Sequence, residues 1–219
     1  MAEMTEVAKG VATHQRLVAL LTQENARYRV VNHEAVGKCE AVSEIRGTAL
    51  GQGAKALVCK VKGNGVNQHV LAILAADQQA DLSQLASHLG GLRASLASPA
   101  EVDMLTGCVF GAIPPFSFHP NLKLVADPLL FERFDEIAFN AGLLEKSVIM
   151  NTQDYLRIAR PELAVFRRFQ SSPTLSPLPP SRSNTDTTIM IKMAKNDAVI
   201  INASRNGGSY IIVSSGRQQ

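Results

Sequence analysis

Two apolar segments joined by a short glycine-rich turn constrain the fold of this chain more than any other feature. The segments are KALVCKVKG (55–63) and QHVLAILAA (68–76), and Gly63-Asn64-Gly65 begins the connection between them. Asn-Gly between apolar runs is the strongest short-range signal of a β-hairpin, because the tight turn needs residues with positive φ. The sequence therefore predicts an antiparallel pair of strands here.

The first strand of this pair carries three lysines, which alternation divides between its two faces. Lys60 and Lys62 share the mixed face, whereas Lys55 points to the apolar face with Cys59. A lysine in that position either extends its ammonium from the strand end to water or supplies a cation that binds a phosphate or polarises a carbonyl. Strand geometry alone leaves both interpretations open.

Short helices and strands alternate irregularly through the rest of residues 1–170. The helical patterns cover 13–25, 39–47, 81–90, 98–107 and 152–163. The further strand-like patterns cover 27–33, 92–98, 108–118, 122–127, 136–142 and 147–151. Because no regular strand-helix-strand spacing is present, this order predicts an α+β fold with a mixed or antiparallel sheet.

The composition changes abruptly after Gln170. Residues 171–188 are rich in serine and proline, which predicts a linker after a main domain of residues 1–170. Residues 189–219 alternate and include Asn206-Gly207-Gly208, which is typical of a β-hairpin. We expect this tail to take no part in the chemistry of the main domain.

The charge distribution argues against a long nucleic-acid groove. The net charge is +3, with 22 basic and 19 acidic side chains, of which five and two lie in residues 171–219. Residues 1–170 therefore hold 17 of each and balance to zero. Any contact with RNA is expected to be local, at one end or one pocket, because phosphate-tracking surfaces need an excess of cations.

Several observations predict a cytoplasmic protein. No run of about 18 apolar residues is present, so we expect no membrane span. The N-terminus lacks the basic-then-apolar pattern of a signal peptide. The three cysteines form no CxxC pair, and an odd number argues against a disulfide framework.

Common catalytic signatures are absent from the sequence, which contains no P-loop, no HExxH and no GxSxG. We therefore expect no cofactor and no metal. Two candidates remain, Lys55 and the segment GAIPP (111–115). In that segment Gly111 allows a ligand to approach the backbone closely, and the paired prolines stiffen the loop.

Three further side chains have two interpretations each. His33 ends a strand and His119 follows the GAIPP segment, and each is either an ordinary hydrogen-bonded histidine or a substrate contact. Cys59 is either a nucleophile or a small buried thiol.

The order of these segments resembles the YbaK/prolyl-tRNA synthetase-associated editing domain family, and most closely its YeaK branch. The matching segments are NHE (32–34), AKALVCK (54–60), GCVFGAIPPFS (107–117), LKLVAD (122–127) and EIAFNAG (136–142). The resemblance covers about residues 13–168 and leaves out the tail. It implies a mixed, mostly antiparallel sheet curled into a barrel-like shape with flanking helices.

The resemblance also implies roles for individual residues. The nearly constant lysine of the family falls on Lys55 and its Gly-x-x-x-Pro loop on Gly111 to Pro115, so Lys55 and Gly111 are the expected catalytic positions. Lys55 would hold the phosphate of the terminal nucleotide or the scissile carbonyl, while the loop directs a water. The expected substrate-binding residues are His33, Ala112, Ile113, Pro114, Pro115, His119 and Ser147.

The implied activity is hydrolysis of the ester of a mischarged tRNA without a covalent nucleophile. The 3′ acceptor end of the tRNA would enter the site. Ser147 stands where the family's YbaK has an acidic residue, and Val31 stands where it has a tyrosine. These departures, with the YeaK likeness, favour serine and threonine over cysteine as the removed amino acid. Aminoacyl-tRNA synthetases are the expected partners. The competing hypothesis is a module that binds aminoacylated ends, or a nucleotide, without hydrolysing them.

Overall fold

The computed structural model describes residues 9–169, 188–192, 198–202 and 211–214. The chain divides into two compact units, 1–170 and 171–219. The predicted linker, 171–188, lies outside the described residues except for Thr188.

Helices in the first unit are short. The helices predicted at 39–47, 81–90 and 98–107 are confirmed, whereas the helix predicted at 152–163 ends at Ala159, and Glu162–Leu163 forms a strand. They are α1 (Val11–Gln23), α2 (Cys39–Arg46), α3 (Leu82–His88), α4 (Pro99–Thr106), α5 (Leu129–Glu132) and α6 (Thr152–Ala159), with a 3₁₀ turn at Leu50–Gln52. The Ser98 hydroxyl caps α4 by accepting from Glu101 N at 3.3 Å, and Gly107 ends that helix with a φ of 65°. Helix α1 begins at Val11, two residues before the predicted start at Thr13.

The strands of the first unit form two sheets. These strands are β1 (Tyr28–Asn32), β2 (Ala54–Gly63), β3 (Val66–Ala75), β4 (Arg93–Leu96), β5 (Leu122–Ala126), β6 (Glu136–Asn140), β7 (Lys146–Asn151) and β8 (Glu162–Leu163). One sheet has the order β4-β2-β3-β5-β8 and the other β1-β7-β6. Strand pairs β3–β5 and β5–β8 are parallel and the remaining pairs are antiparallel.

This architecture confirms the predicted α+β class with a mixed, mostly antiparallel sheet. The barrel-like closure needs correction, because the two sheets do not close on each other. A single parallel bridge between Gly53 and Ala138 joins them. The segment 108–118, predicted as strand-like, contains no strand, because its glycine and paired prolines interrupt ladder hydrogen bonding.

The predicted hairpin is confirmed as β2 and β3, which pair in register from Ala54–Ala75 to Gly63–Val66. Asn64 and Gly65 have φ values of 53° and 78°, as the tight turn requires. Both faces of the hairpin are covered. One face, with Val58, joins the larger hydrophobic cluster, and the other, with Cys59, joins a second cluster around Phe166. Lys60, on the mixed face, forms an ion pair in which its ammonium lies 2.7 Å from Glu101 Oε1.

The second unit contains an antiparallel sheet of β9 (Thr188–Lys192), β10 (Ala198–Asn202) and β11 (Ile211–Ser214), with β10 in the middle. The tail therefore has three strands where the sequence predicted a two-stranded hairpin. The predicted Asn-Gly-Gly turn, 206–208, lies outside the described residues. No helix in the described part of the chain is long and apolar enough to cross a membrane.

Candidate functional site

A cavity of about 230 Å³ lies where the two sheets of the first unit meet. Its wall comes from α2, the start of β2, the end of β6 and the loop around Gly111, and it includes both residues of the Gly53–Ala138 bridge. Two larger surface clefts, of about 300 and 370 Å³, contain none of the predicted site residues. The 230 Å³ cavity is therefore the candidate site.

Lys55 lies in the cavity wall near the start of β2, opposite Leu74 of β3. Its side chain is half-buried, and its ammonium donates a hydrogen bond to the backbone carbonyl of Gln78. No acidic side chain among the described residues lies within 4 Å of this ammonium. The cation is therefore positioned without being neutralised.

The loop around Gly111 forms another part of the wall. Gly111 is exposed and has a φ of 84°, and a Cβ at this position would lie 3.0 Å from Gly37 Cα. The residues that follow are buried, and the carbonyl of Pro115 accepts a hydrogen bond from the Tyr155 hydroxyl at 2.7 Å. Within the described chain, the N–H of Gly111 has no hydrogen-bond acceptor. The loop thus presents an open backbone donor from a fixed position.

Asn140 holds this loop in place from the end of β6. Its Nδ2 donates to the carbonyl oxygens of Gly111 at 2.7 Å and Val36 at 2.9 Å. Its Oδ1 accepts from Arg46 Nη2 at 2.8 Å. Because both amide hydrogens and the amide oxygen are engaged, the orientation of Asn140 is fixed by its neighbours.

Ser147 and His33 form a hydrogen-bonded pair behind the cavity wall. Ser147 Oγ lies 2.6 Å from His33 Nε2 and accepts from Arg46 Nε at 2.8 Å. His33 Nδ1 lies 2.7 Å from the carbonyl of Glu34, which can only accept, so in the neutral ring Nε2 is an acceptor. The one proton of the Ser147 hydroxyl then has two acceptors, His33 Nε2 at 2.6 Å and Asn140 Oδ1 at 3.2 Å. Ser147 is fully buried and outside the cavity wall, so this serine-histidine pair cannot act as a nucleophile and base.

Arg46, at the end of α2, lines the cavity and is partly buried. Burial lowers the pKa of its guanidinium to about 10. The described residues place no carboxylate within 4 Å of it. A basic residue before a helix-ending glycine is common, so no sequence pattern distinguishes Arg46 as a site residue.

The thiols near the site are not activated. Cys39 lines the cavity, and burial raises the pKa of its thiol, although the nearby Lys55 ammonium opposes that effect. Cys59 is fully buried in the second hydrophobic cluster, where burial raises its pKa to about 12. Because the thiolate is the reactive form, this geometry favours the buried-thiol interpretation of Cys59.

The structure brings some predicted residues together and separates others. Lys55, Gly111 and Ile113 line the cavity. Ala112, Pro114 and Pro115 lie buried in the same loop, and His33 and Ser147 lie behind the wall. His119 lies in the turn before β5, where its Nδ1 accepts from Asn121 N at 3.1 Å, and it does not line the cavity.

Phe110 also lines the cavity and was not selected from the sequence. It is 58% exposed, although it belongs to a residue type that is usually buried. None of the aromatic rings in the described segments pairs with it. In the same segments, no three His, Cys, Asp or Glu side chains form a group that could hold a metal ion.

Comparison with known proteins identifies sequence relatives of this chain. The sequence model of the aminoacyl-tRNA editing domain matches residues 33–158. The chain is 88% identical over 165 residues to the multifunctional Ser/Thr-tRNA deacylase ProXp-y of Escherichia coli (strain K12), covering 75% of this chain and 99% of the relative. The corresponding protein of Escherichia coli O157:H7 matches to the same extent.

Solved structures share the fold at low sequence identity. A putative trans-editing enzyme for prolyl tRNA synthetase matches with a TM-score of 0.61 and 21% identity, over 72% of this chain and 98% of that one. A protein described only as hypothetical matches with a TM-score of 0.62 and 16% identity, over 69% and 99%.

Proposed function

The chain belongs to the family of aminoacyl-tRNA editing domains, and from that premise we propose that it is a free-standing deacylase of mischarged Ser-tRNA and Thr-tRNA. The amino acids follow from the name of the 88% identical relative, which this chain covers over 99% of its length. Synthetases that attach serine or threonine to the wrong tRNA would supply the substrate in the cytoplasm.

One observation carries this proposal. Lys55 and Gly111 line the same cavity, the N–H of Gly111 has no acceptor among the described residues, and no described thiol in the wall is activated. A cation and a fixed backbone donor are the groups that stabilise the oxyanion formed when water attacks an ester. The arrangement suits hydrolysis by a positioned water better than acyl transfer through the enzyme.

In this mechanism the ester carbonyl lies between Lys55 and Gly111. Water adds to the carbonyl carbon, and negative charge builds on the carbonyl oxygen, where the Lys55 ammonium and the Gly111 N–H stabilise it. Collapse of the tetrahedral intermediate breaks the bond to the ribose oxygen and releases the amino acid, and a proton from the attacking water ends on that oxygen, which restores the ribose hydroxyl of the tRNA. Asn140 contributes by fixing the loop, because small displacements of a catalytic donor reduce the rate strongly.

The size and charge of the site fit a small group at the end of a tRNA. Its volume of about 230 Å³ lies below the usual range for drug-sized ligands, so it suits a small aminoacyl group. Residues 1–170 carry no net charge, which argues against a broad tRNA-binding surface. Recognition through an unpaired, flexible end needs no such surface.

A deacylation panel tests the proposal directly. Ser-tRNA, Thr-tRNA and Ala-tRNA, each prepared by mischarging, are incubated with the full chain, and the remaining ester is measured over time. We expect hydrolysis of the first two at a rate proportional to enzyme concentration. A non-catalytic binding module would instead slow the spontaneous loss of the ester, and that result would refute the enzyme.

The exposed ring of Phe110 predicts a second contact with the acceptor end. Unpaired bases stack on exposed aromatic side chains, and removing one such contact costs about 1–3 kcal/mol per base. Phe110→Ala should therefore raise KM for mischarged tRNA by about 5- to 150-fold with little change in kcat. Steady-state kinetics with Ser-tRNA give both constants.

Two variants serve as controls for this measurement. Phe110→Tyr keeps the aromatic face and should retain the parent KM. Phe169→Ala removes another exposed phenylalanine, 62% accessible and outside the cavity wall, and should also leave KM unchanged. An unchanged KM in Phe110→Ala would rule out the stacking contact without affecting the deacylase assignment.

A further inference from the structure

Arg46 is a cation in the cavity wall that lacks a partner of opposite charge. Its neighbours Ser147 and Asn140 are neutral, and the described part of the chain brings no carboxylate within 4 Å. Desolvating a charge is costly unless a counter-charge compensates it. A partly buried, uncompensated arginine beside a cavity is therefore better explained by binding an anion than by stabilising the fold.

The hydrogen bonds of Arg46 leave one edge of its guanidinium open. Nε and Nη2 donate sideways to Ser147 Oγ and Asn140 Oδ1, at 2.8 Å each. These two bonds fix the plane of the group. The adjacent edge at the end of the group, formed by Nη1 and the second hydrogen of Nη2, has no acceptor among the described residues, and Arg46 lines the cavity. Two parallel N–H groups on that edge match the two oxygens of a phosphate.

Cations surround the cavity on two sides. The thiol of Cys39, which lines it, experiences the positive charges of Lys55 and Arg46 and the negative charge of Glu40, which does not line the cavity. In the proposed reaction Lys55 serves the ester carbonyl, which leaves Arg46 for a second negative group. The α-amino group of the substrate is a cation and is unsuitable. The nearest anion in an aminoacylated acceptor end is the phosphate of the terminal nucleotide.

We propose that Arg46 binds the 5′-phosphate of the terminal, aminoacylated nucleotide through the open edge of its guanidinium. This inference rests on the proposed function, because that function supplies the ligand. This contact would distinguish an aminoacylated nucleotide from a simple amino-acid ester. It would also position the scissile bond relative to the bound phosphate. The hydrogen bonds to Ser147 and Asn140 would then orient the guanidinium towards the cavity.

Two stable ligands test the proposal. They are 3′-deoxy-3′-(L-serylamino)adenosine and its 5′-monophosphate, in which an amide replaces the labile ester, and calorimetry gives Kd for each. With the parent protein we expect the phosphate to tighten binding by about 10- to 150-fold, as is typical of hydrogen bonds to charged groups. In Arg46→Gln this ratio should fall close to one.

The ratio of the two Kd values separates a direct contact from a structural role. If Arg46 only supports Asn140 and the loop, Arg46→Gln weakens both ligands equally and keeps the ratio, which overturns the proposal. Arg46→Lys keeps the charge but not the open edge and should retain only part of the ratio. Arg29→Gln, which removes an exposed arginine paired with Glu136, should keep all of it.

A second measurement covers the case in which Arg46→Gln binds neither ligand. The salt dependence of kcat/KM for mischarged tRNA should become shallower in Arg46→Gln, by up to about 0.7 in the logarithmic slope for one lost phosphate contact, whereas Arg46→Lys keeps the cation and should keep most of the slope. An unchanged slope in folded Arg46→Gln contradicts the phosphate contact. If the parent protein hydrolyses no mischarged tRNA, the proposed function fails, whereas the ratio of Kd values still decides the role of Arg46.

Discussion

Lys55→Ala is expected to lower kcat/KM for deacylation of Ser-tRNA by about 10²- to 10³-fold, the usual cost of removing one group that stabilises an oxyanion. The Lys55 ammonium is held in the cavity wall by the carbonyl of Gln78 and is not neutralised by a described carboxylate. Its loss leaves the Gly111 N–H as the remaining donor. Single-turnover deacylation at saturating enzyme measures the effect on the chemical step.

Two controls separate catalysis from stability in this experiment. Lys55→Met keeps most of the aliphatic chain and should be as inactive as the alanine variant. Lys62→Ala removes a lysine of the same strand outside the cavity wall and should be fully active. The lost bond to Gln78 should cost about 0.5–1.5 kcal/mol of unfolding free energy. Activity retained in a folded Lys55→Ala variant would refute the assigned role.

Gly111→Ala is expected to reduce kcat/KM by about 10²-fold, because a displacement of about 1 Å in a positioning group has effects of that size. A Cβ at residue 111 would lie 3.0 Å from the Cα and 3.1 Å from the carbonyl oxygen of Gly37, both of which are backbone atoms. The φ of 84° adds conformational strain. The loop must move, and the unpaired N–H moves with it. Steady-state deacylation kinetics report the loss.

Gly65→Ala is a matched control, since Gly65 also has a positive φ, 78°, but open space around the position of a Cβ. It lies in the hairpin turn and outside the cavity wall. Backbone strain alone should cost Gly65→Ala about 1–2 kcal/mol of stability without changing the rate. Equal activity in both variants would show that crowding against Gly37 does not position the catalytic loop.

The parts of the fold that depend on local chemistry could be predicted from the sequence. The Asn64-Gly65 turn fixed the hairpin, and Ser98, Pro99 and Gly107 fixed the ends of α4. Local rules failed at 108–118, where apolar composition suggested a strand although Gly111 and the prolines prevent a ladder. They also failed to show that the two sheets meet at one bridge and remain open.

The candidate site was predictable only in part, because its contacts join distant segments. Lys55 and Gly111 were selected through a family resemblance and line one cavity, whereas their predicted roles remain to be tested. Arg46 contacts Ser147 and Asn140, which lie more than ninety residues away in the sequence, and no local sequence pattern predicts such contacts. Phe110 was missed because only the structure shows that its ring remains exposed.

Two separate sheets meet at the candidate site through one backbone bridge, Gly53–Ala138, and a shared hydrophobic core, so the site depends on how the sheets dock. Lys55 belongs to the five-stranded sheet, whereas Asn140, which holds the Gly111 loop, belongs to the three-stranded one. A slight separation of the sheets would move the ammonium away from the loop while every strand stays intact. We therefore expect activity to be lost on heating at a lower temperature than secondary structure. The enzymatic rate would then report on the docking of the sheets more sensitively than circular dichroism does.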